Sequence, residues 1–326
     1  MRDTFRREIN YLRVSVTDRC NLRCVYCMPP EGVKFLPHDE VLRTEEIEAV
    51  IRAGTRVGIK KIRLTGGEPL VRKGIRNLVR RVANIPGIDD ITMTTNGILL
   101  PLHAAALKEA GLKRVNISLD TLKNERYREI TRVGELAAAW KGIQTALDVG
   151  LHPVKLNTVV VRGINDDEVE ALARLTLNRA LHIRFIEIMP IGDSNSWSKG
   201  RFVPAGEIME KISRRIGRLI PAKTVRGNGP AKYYRFEGAA GTVGFITAMS
   251  DHFCESCNRL RLTSSGGLRP CLYDSREIDM RTPLRRGAEE KELVDLIRDA
   301  IDMKPDRHHM HDGWVDSKRV MSQIGG

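Results

Sequence analysis

Apolar positions along residues 1–190 follow two alternating rhythms. Short runs rich in β-branched residues read as strands: Tyr11–Thr17, Lys61–Thr65, Ile91–Thr95, Val115–Leu119, Val154–Val161 and Ile183–Ile188. Between them, apolar residues return at helical spacing in Thr44–Val57, Leu102–Ala110, Ala137–Val149 and Asp167–Arg179. Thr44 followed by Glu46 and Ile47 suits a helix start, and Gly58 a helix end. This alternation predicts an α/β chain of parallel βα repeats. Six units are too many for the smallest doubly wound sheet and too few for a closed eightfold barrel. A partial (β/α)6 TIM-like barrel is therefore expected. From about Trp197 the pattern loosens and glycine becomes frequent, with strands at Tyr233–Phe236 and Thr242–Thr247 and a helix at Glu290–Asp302. This C-terminal α+β region is expected to close the open side of the barrel. Residues 1–220 would form the barrel core and residues 221–326 the closing region.

Cations interrupt the apolar rhythm. Arg13 breaks Tyr-Leu-Arg-Val-Ser-Val, Arg63 breaks Ile-Arg-Leu, Lys155 breaks Val-Lys-Leu and Arg184 breaks Ile-Arg-Phe-Ile. Strands of a helix-covered sheet are buried on both faces, where an unpaired cation is expensive. Glu187 and Asp120 are the available acidic partners. Farther along, Arg259-Leu260-Arg261-Leu262 would, if extended, place both arginines on one face. Four strand cations and this Arg-x-Arg pair exceed those acids, so a bound polyanion is expected; a triphosphate matches bidentate arginine geometry. The formal charge of +13 agrees, although scattered surface arginine also raises it. The first eight residues contain no apolar signal region, and no apolar run is long enough to span a bilayer. A soluble, cytoplasmic protein is expected.

The six cysteines fall into two trios. In a reducing cytosol, clustered cysteines are metal ligands more often than disulfides. Cys20, Cys24 and Cys27 form C-x3-C-x2-C; three thiolates on a four-iron cluster leave one iron open for chemistry. Structural zinc would need a fourth ligand, for which His38 is nearest. Cys254, Cys257 and Cys271 form C-x2-C-x13-C, again three, and zinc with His252 or Asn258 remains an alternative there. The second strand ends in Thr65-Gly66-Gly67-Glu68-Pro69. Its glycines are expected to let backbone approach a ligand, and its carboxylate, with nearby carbonyls, to meet an ammonium group. His308, His309 and His311 read as a solvated loop and receive no role.

Together, the C-x3-C-x2-C run with Tyr26 before its last cysteine, the GGEP element, the C-terminal C-x2-C-x13-C enclosing Arg-Leu-Arg, and the Gly325-Gly326 terminus resemble the GTP 3′,8-cyclases. These belong to the radical S-adenosylmethionine superfamily and act in the first step of molybdenum cofactor synthesis. The resemblance runs from Arg13 to Gly326 and implies a partial barrel of the radical S-adenosylmethionine type. It implies two [4Fe-4S] clusters, one on Cys20, Cys24 and Cys27, the other on Cys254, Cys257 and Cys271. Tyr26, Gly67, Ser118 and Met189 would contact S-adenosylmethionine. Arg13, Arg63, Thr94, Lys155, Arg184, Arg259, Leu260 and Arg261 would bind GTP, with Thr95 an alternative to Thr94. Arg259, Arg261, Gly325 and Gly326 would take part in catalysis, the last two on a tail entering the site. The implied reaction begins when a 5′-deoxyadenosyl radical takes hydrogen from C3′ of GTP, and it ends in 3′,8-cyclo-7,8-dihydro-GTP. A homodimer, a reductase or flavodoxin-type electron donor and a downstream cyclic pyranopterin monophosphate synthase are implied as well. Two other readings stay open: a radical enzyme modifying a peptide or RNA, and a zinc-stabilised nucleic-acid-binding protein. Neither a membrane nor a nucleic-acid partner is expected.

Overall fold

The computed structural model describes residues 1–191, 200–222, 229–308, 319 and 321–324. Strands β1 (Tyr11–Ser15), β2 (Lys61–Thr65), β3 (Asp90–Thr95), β4 (Arg114–Ser118), β5 (Val154–Val160) and β6 (Leu181–Glu187) lie in chain order and pair in parallel. Helices α1 (Thr44–Arg56), α2 (Ile75–Ala83), α3 (Leu100–Glu109), α4 (Asn124–Thr131), α5 (Leu136–Asp148) and α6 (Val169–Asn178) fill the connections. Helix α1 starts as the sequence predicts: the Glu46 carboxylate accepts the Arg43 N–H at 2.6 Å, satisfying one orphan donor of the first turn.

The C-terminal region joins the sheet at both edges. It supplies α7 (Ala205–Arg215), β7 (Ile220–Pro221), β8 (Lys232–Arg235), β9 (Thr242–Ile246), β10 (Arg259–Leu262), β11 (Gly267–Arg269), β12 (Ile278–Asp279), α8 (Arg281–Arg285) and α9 (Glu290–Asp302). Strand β9 lies parallel beside β6, and β10 lies parallel beside β1. The parallel run is therefore β10-β1-β2-β3-β4-β5-β6-β9, with antiparallel β11-β12 and β8-β7 outside it. Closure thus comes from strand addition at either edge, and α9 packs on α1 on the outside.

Register explains both faces. Leu12, Ile62, Ile91 and Leu260 stand on one face and are buried in the main apolar core with the helices. Their neighbours Arg13, Arg63, Thr92 and Arg261 stand on the other. The sheet is curled around that second face. Arg184 on β6 feels the charges of Tyr11 on β1 and Arg63 on β2, yet five strand spacings would separate β6 from β1 by roughly 24 Å in a flat sheet. The barrel interior is polar and cationic, and its apolar core lies between strands and helices. No helix among the described residues is long and apolar enough to cross a membrane.

Candidate active site

The loop after β1 carries the first cysteine trio, and the glycines after β2 hold that loop in place. The Gly67 N–H donates to Thr17 O and the Glu68 N–H to Arg19 O, both at 2.8 Å. A Cβ on Gly66 would stand 2.4 Å from Thr17 O, and one on Gly67 2.3 Å from Arg19 O, so any other side chain would push the two segments apart. The close approach seen here is to another stretch of backbone, and both glycines also line the cavity beside the first trio. The Glu68 carboxylate, lining the same cavity, is held by three donors of the chain. It accepts from Leu70 N–H at 3.0 Å, Thr95 Oγ1 at 2.7 Å and Asn96 N–H at 2.7 Å, tying the loop after β2 to that after β3. Burial pushes its pKa up to about 7 against these bonds.

Cys20, Cys24 and Cys27 line a cavity of about 210 Å³ together with Tyr26, Gly67, Ser118 and Met189. All four residues expected to contact S-adenosylmethionine therefore meet the first trio in one space. Burial raises the Cys20 thiol to about 11 and lifts Cys24 and Cys27 further, with Asp120 adding to the rise in those two. The Tyr26 hydroxyl donates to Asp120 Oδ2, and Asp120 Oδ1 accepts the Val159 N–H at 2.8 Å. This buried carboxylate, raised by burial to about 6, belongs to the cavity wall but was considered in the sequence only as a salt-bridge partner.

The second trio lines a smaller cavity of about 60 Å³ with Arg259, Arg261, Lys304 and, again, Met189. One side chain thus borders both cavities, and the two trios open toward the same interior. Arg259 Nη2 reaches Cys257 Sγ at 3.4 Å, and its guanidinium lies 4.7 Å from the Phe253 ring centre. Burial pushes the Cys257 thiol up. The charges of Arg259 and Lys304, with hydrogen bonds from Arg259, outweigh it and bring the thiol down to about 6.

Between the trios, Arg13 pairs in register with Arg63 on one side and Arg261 on the other. Lys155 lies between Asn116 and His182, and Arg184 beside Asn157. Burial, then the charges of Arg184, Arg114 and Arg63, lowers Lys155 to about 6; burial and Arg259 lower Arg261 to about 10. The acids proposed to neutralise these cations are occupied elsewhere. Glu187 accepts from Ala205, Met249 and Ser250 N–H at 2.8–2.9 Å, and Asp120 is taken by Tyr26 and Val159. Arg184 Nε and Nη2 are buried with no hydrogen-bond partner among the described residues. Arg114, which the sequence reading passed over, forms a two-pronged pair with Asp90 at 2.5 Å.

The threonine pair separates cleanly. Thr94 shares the face of Thr92 and Arg63, whereas Thr95 Oγ1 donates to Glu68 and accepts the Gly97 N–H at 3.0 Å. Leu260 is fully buried on the outer face, so only its backbone can meet a ligand in the interior. Gly325 and Gly326 lie outside the described residues, as do His309 and His311. Just before the two glycines, Met321 and Ser322 line the first cavity, and Ile324 packs with Ile191 and Tyr273.

The alternative zinc ligands are elsewhere. His38 and His252 are exposed, and Asn258 Nδ2 donates to Asn10 Oδ1 at 2.9 Å. His308 does line the second cavity. Among the described residues, however, no three His, Cys, Asp or Glu side chains converge as a single metal ion would need. Three thiolates spread around one cavity fit a cluster, in which each binds a separate iron.

Residues 14–176 match the radical SAM superfamily and residues 181–310 match Molybdenum Cofactor Synthesis C. A GTP 3′,8-cyclase of Pelotomaculum thermopropionicum is 70% identical over all of both chains, and one of Desulforamulus reducens is 57% identical over the same extent. The chain belongs to the GTP 3′,8-cyclase family. Membership in this radical SAM family brings S-adenosylmethionine and a [4Fe-4S] cluster as cofactors. Streptococcus suis SuiB, solved with S-adenosylmethionine, aligns with a TM-score of 0.58 at 14% identity, over 92% of this chain and 76% of its own. That likeness shows the fold that GTP 3′,8-cyclases share with the wider superfamily.

Proposed function

We propose that the chain converts GTP to (8S)-3′,8-cyclo-7,8-dihydroguanosine 5′-triphosphate, with the first trio as the S-adenosylmethionine site and the second as a substrate-side cluster. The observation that carries this reading is the shared interior. Two sets of three cysteines line two cavities that share Met189, and Arg13, Arg63, Lys155, Arg184 and Arg261 stand on one face of the sheet by register.

Cys20, Cys24 and Cys27 would hold one cluster, and Cys254, Cys257 and Cys271 the other. When bound, the first cluster and S-adenosylmethionine supply one-electron chemistry that the side chains themselves cannot. The chain's own residues bind, orient and exclude water. Arg13, Arg63, Lys155, Arg184 and Arg261 would neutralise the triphosphate, and the buried unpartnered nitrogens of Arg184 support that role. Thr94 would add a hydroxyl from the same face. A triphosphate among these groups would return Lys155 to its charged form. Tyr26, Gly67, Ser118 and Met189 would hold S-adenosylmethionine, Tyr26 with its hydroxyl fixed on Asp120. Arg259, bridging Cys257 and the interior, would place the guanine end near the second trio. Met321 and Ser322 line the first cavity just before Gly325 and Gly326, which supports a catalytic part for those two glycines. We divide the chain at residue 220 into the barrel core and the closing region. A homodimer, a flavodoxin-type reductant and a cyclic pyranopterin monophosphate synthase acting on the product complete the reading.

The test is anaerobic incubation of the reconstituted chain with GTP, S-adenosylmethionine and a reductant. The expected products are 5′-deoxyadenosine and the cyclised nucleotide in matching amounts. Deoxyadenosine with intact GTP would overturn the substrate; iron far below about eight per chain would overturn the second cluster.

A further inference from the structure

Two buried cations, Arg7 and Lys304, converge on the segments that carry the second trio. Arg7 is anchored by Asp3, Nε to Oδ2 at 2.6 Å, and its backbone N–H donates to Asp3 Oδ1 at 2.9 Å. The guanidinium then donates to three carbonyls: Cys254 O at 3.0 Å, Asp306 O at 3.0 Å and Pro305 O at 2.6 Å. Next to those last two, Lys304 Nζ donates to Arg259 O at 2.9 Å and Pro270 O at 2.7 Å. Asp3, Arg7 and Lys304 are all buried.

The accepting carbonyls belong to Cys254 itself, to the residue two past Cys257 and to the residue immediately before Cys271. Every segment that carries a cysteine of this trio is thus gripped by one of two cations, and residues 304–306 link those cations to each other. Lys304 is bonded to carbonyls and to no carboxylate among the described residues. A buried ammonium without a counter-charge is costly, and Lys304 lines the same small cavity as Cys254, Cys257 and Cys271.

We infer that Arg7 and Lys304 form a clamp that positions the second cysteine trio for its cluster, with the N-terminal segment as part of that site. The inference rests on reading this trio as a cluster site. The clamp fixes the three sulfurs before metal arrives, which lowers the ordering cost of binding, and the Lys304 charge stabilises the reduced cluster.

The full-length chain, reconstituted anaerobically, carries the test. Arg7→Met and Lys304→Met are expected to retain about four irons where the unaltered chain holds about eight. Any second cluster they do assemble should be lost to a chelator at least about tenfold faster. Formation of 5′-deoxyadenosine from S-adenosylmethionine should persist, showing an intact first site. Lys304→Arg should restore both the iron content and the reduction potential of the second cluster, which Lys304→Met lowers. Chelator-loss rates within about twofold of the unaltered chain in both methionine variants would overturn the clamp. If those variants do not fold, Asp3→Asn decides: it removes only the anchor of Arg7, and an unchanged loss rate is again fatal. Should the unaltered chain itself bind only about four irons, the two-cluster reading fails. The clamp is then judged on metal-free protein, where Lys304→Met must speed amide hydrogen exchange across residues 254–271 and leave the segment of the first trio unchanged; unchanged exchange at 254–271 overturns it.

Discussion

Around Cys20, Cys24 and Cys27 the cavity wall is apolar, neutral polar or acidic, with Asp120 nearby, whereas Cys257 lies beside Arg259 and Lys304. The same ligand count therefore meets opposite fields. Thiolates in the first setting are destabilised until a cationic metal arrives, and a cluster there is electron-rich. In the second, Arg259 and Lys304 favour the Cys257 thiolate, and Arg259 continues into the row proposed to bind triphosphate. Charge around a cluster is one determinant of its potential, so on the function proposed above the first site would deliver an electron and the second would hold the substrate. The difference teaches that a cysteine motif fixes the kind of metal group and its surroundings fix the job.

The strongest way to break this contrast is to remove one cysteine from each side. Cys24→Ala should abolish 5′-deoxyadenosine formation in anaerobic assays. Cys271→Ala should leave that formation measurable while the cyclised nucleotide disappears from the same chromatogram. Equal loss of both products in both variants would erase the division of labour.

A smaller effect separates the two arginines of β10. Arg261→Ala should weaken GTP binding by about 2 kcal/mol, roughly 30-fold in Kd by equilibrium dialysis, with iron content unchanged. Arg259→Ala should weaken GTP binding as well and, because Arg259 also touches Cys257 Sγ, should shift the electron paramagnetic resonance signal of the second cluster. The metal-free chain sharpens the contrast further. With Cys257 near 6 and Cys20 near 11, iodoacetamide at pH 7 should label Cys257 first. That labelling should slow as pH falls through 6, where the thiolate takes up its proton, while Cys20 should gain reactivity only toward pH 11. The subtlest test uses adjacent residues. Thr94→Val should raise the Kd for GTP a few-fold with little change in melting temperature. Thr95→Val, which removes the bond to Glu68, should cost about 1 kcal/mol of stability and leave GTP affinity nearly unaltered.

Much of this architecture was legible in the residue pattern. All six strands of the barrel appear within two residues of their bounds, and Glu290–Asp302 is helical as read. Their alternation is strong because one face packs helices. The interior cations were legible for the same reason, as exceptions to an apolar run. Helices α2, α4 and α7 were not singled out, since α4 buries only Tyr127, Ile130 and Thr131 among charged neighbours. The parallel docking of β9 and β10 was invisible because register between segments so distant in sequence leaves no local trace. The contacts that Gly66, Gly67 and Glu68 make within the chain were not legible for a related reason. Their partners are backbone atoms of Thr17, Arg19, Leu70 and Asn96, and backbone contacts carry no sequence signature. Lys304 and Arg7 escaped notice likewise, as each grips carbonyls.

Strand β1 is sandwiched between β2 and β10, and Tyr11 meets Arg259 in register across nearly the whole chain. A nascent polypeptide leaving the ribosome therefore exposes one hydrogen-bonding edge of its earliest strand until residue 262 has emerged. Bringing such remote partners together is slow, and an unsatisfied strand edge invites association with other chains meanwhile. Truncation between β9 and β10 should consequently yield insoluble product, even though every residue of the six-strand core would be present.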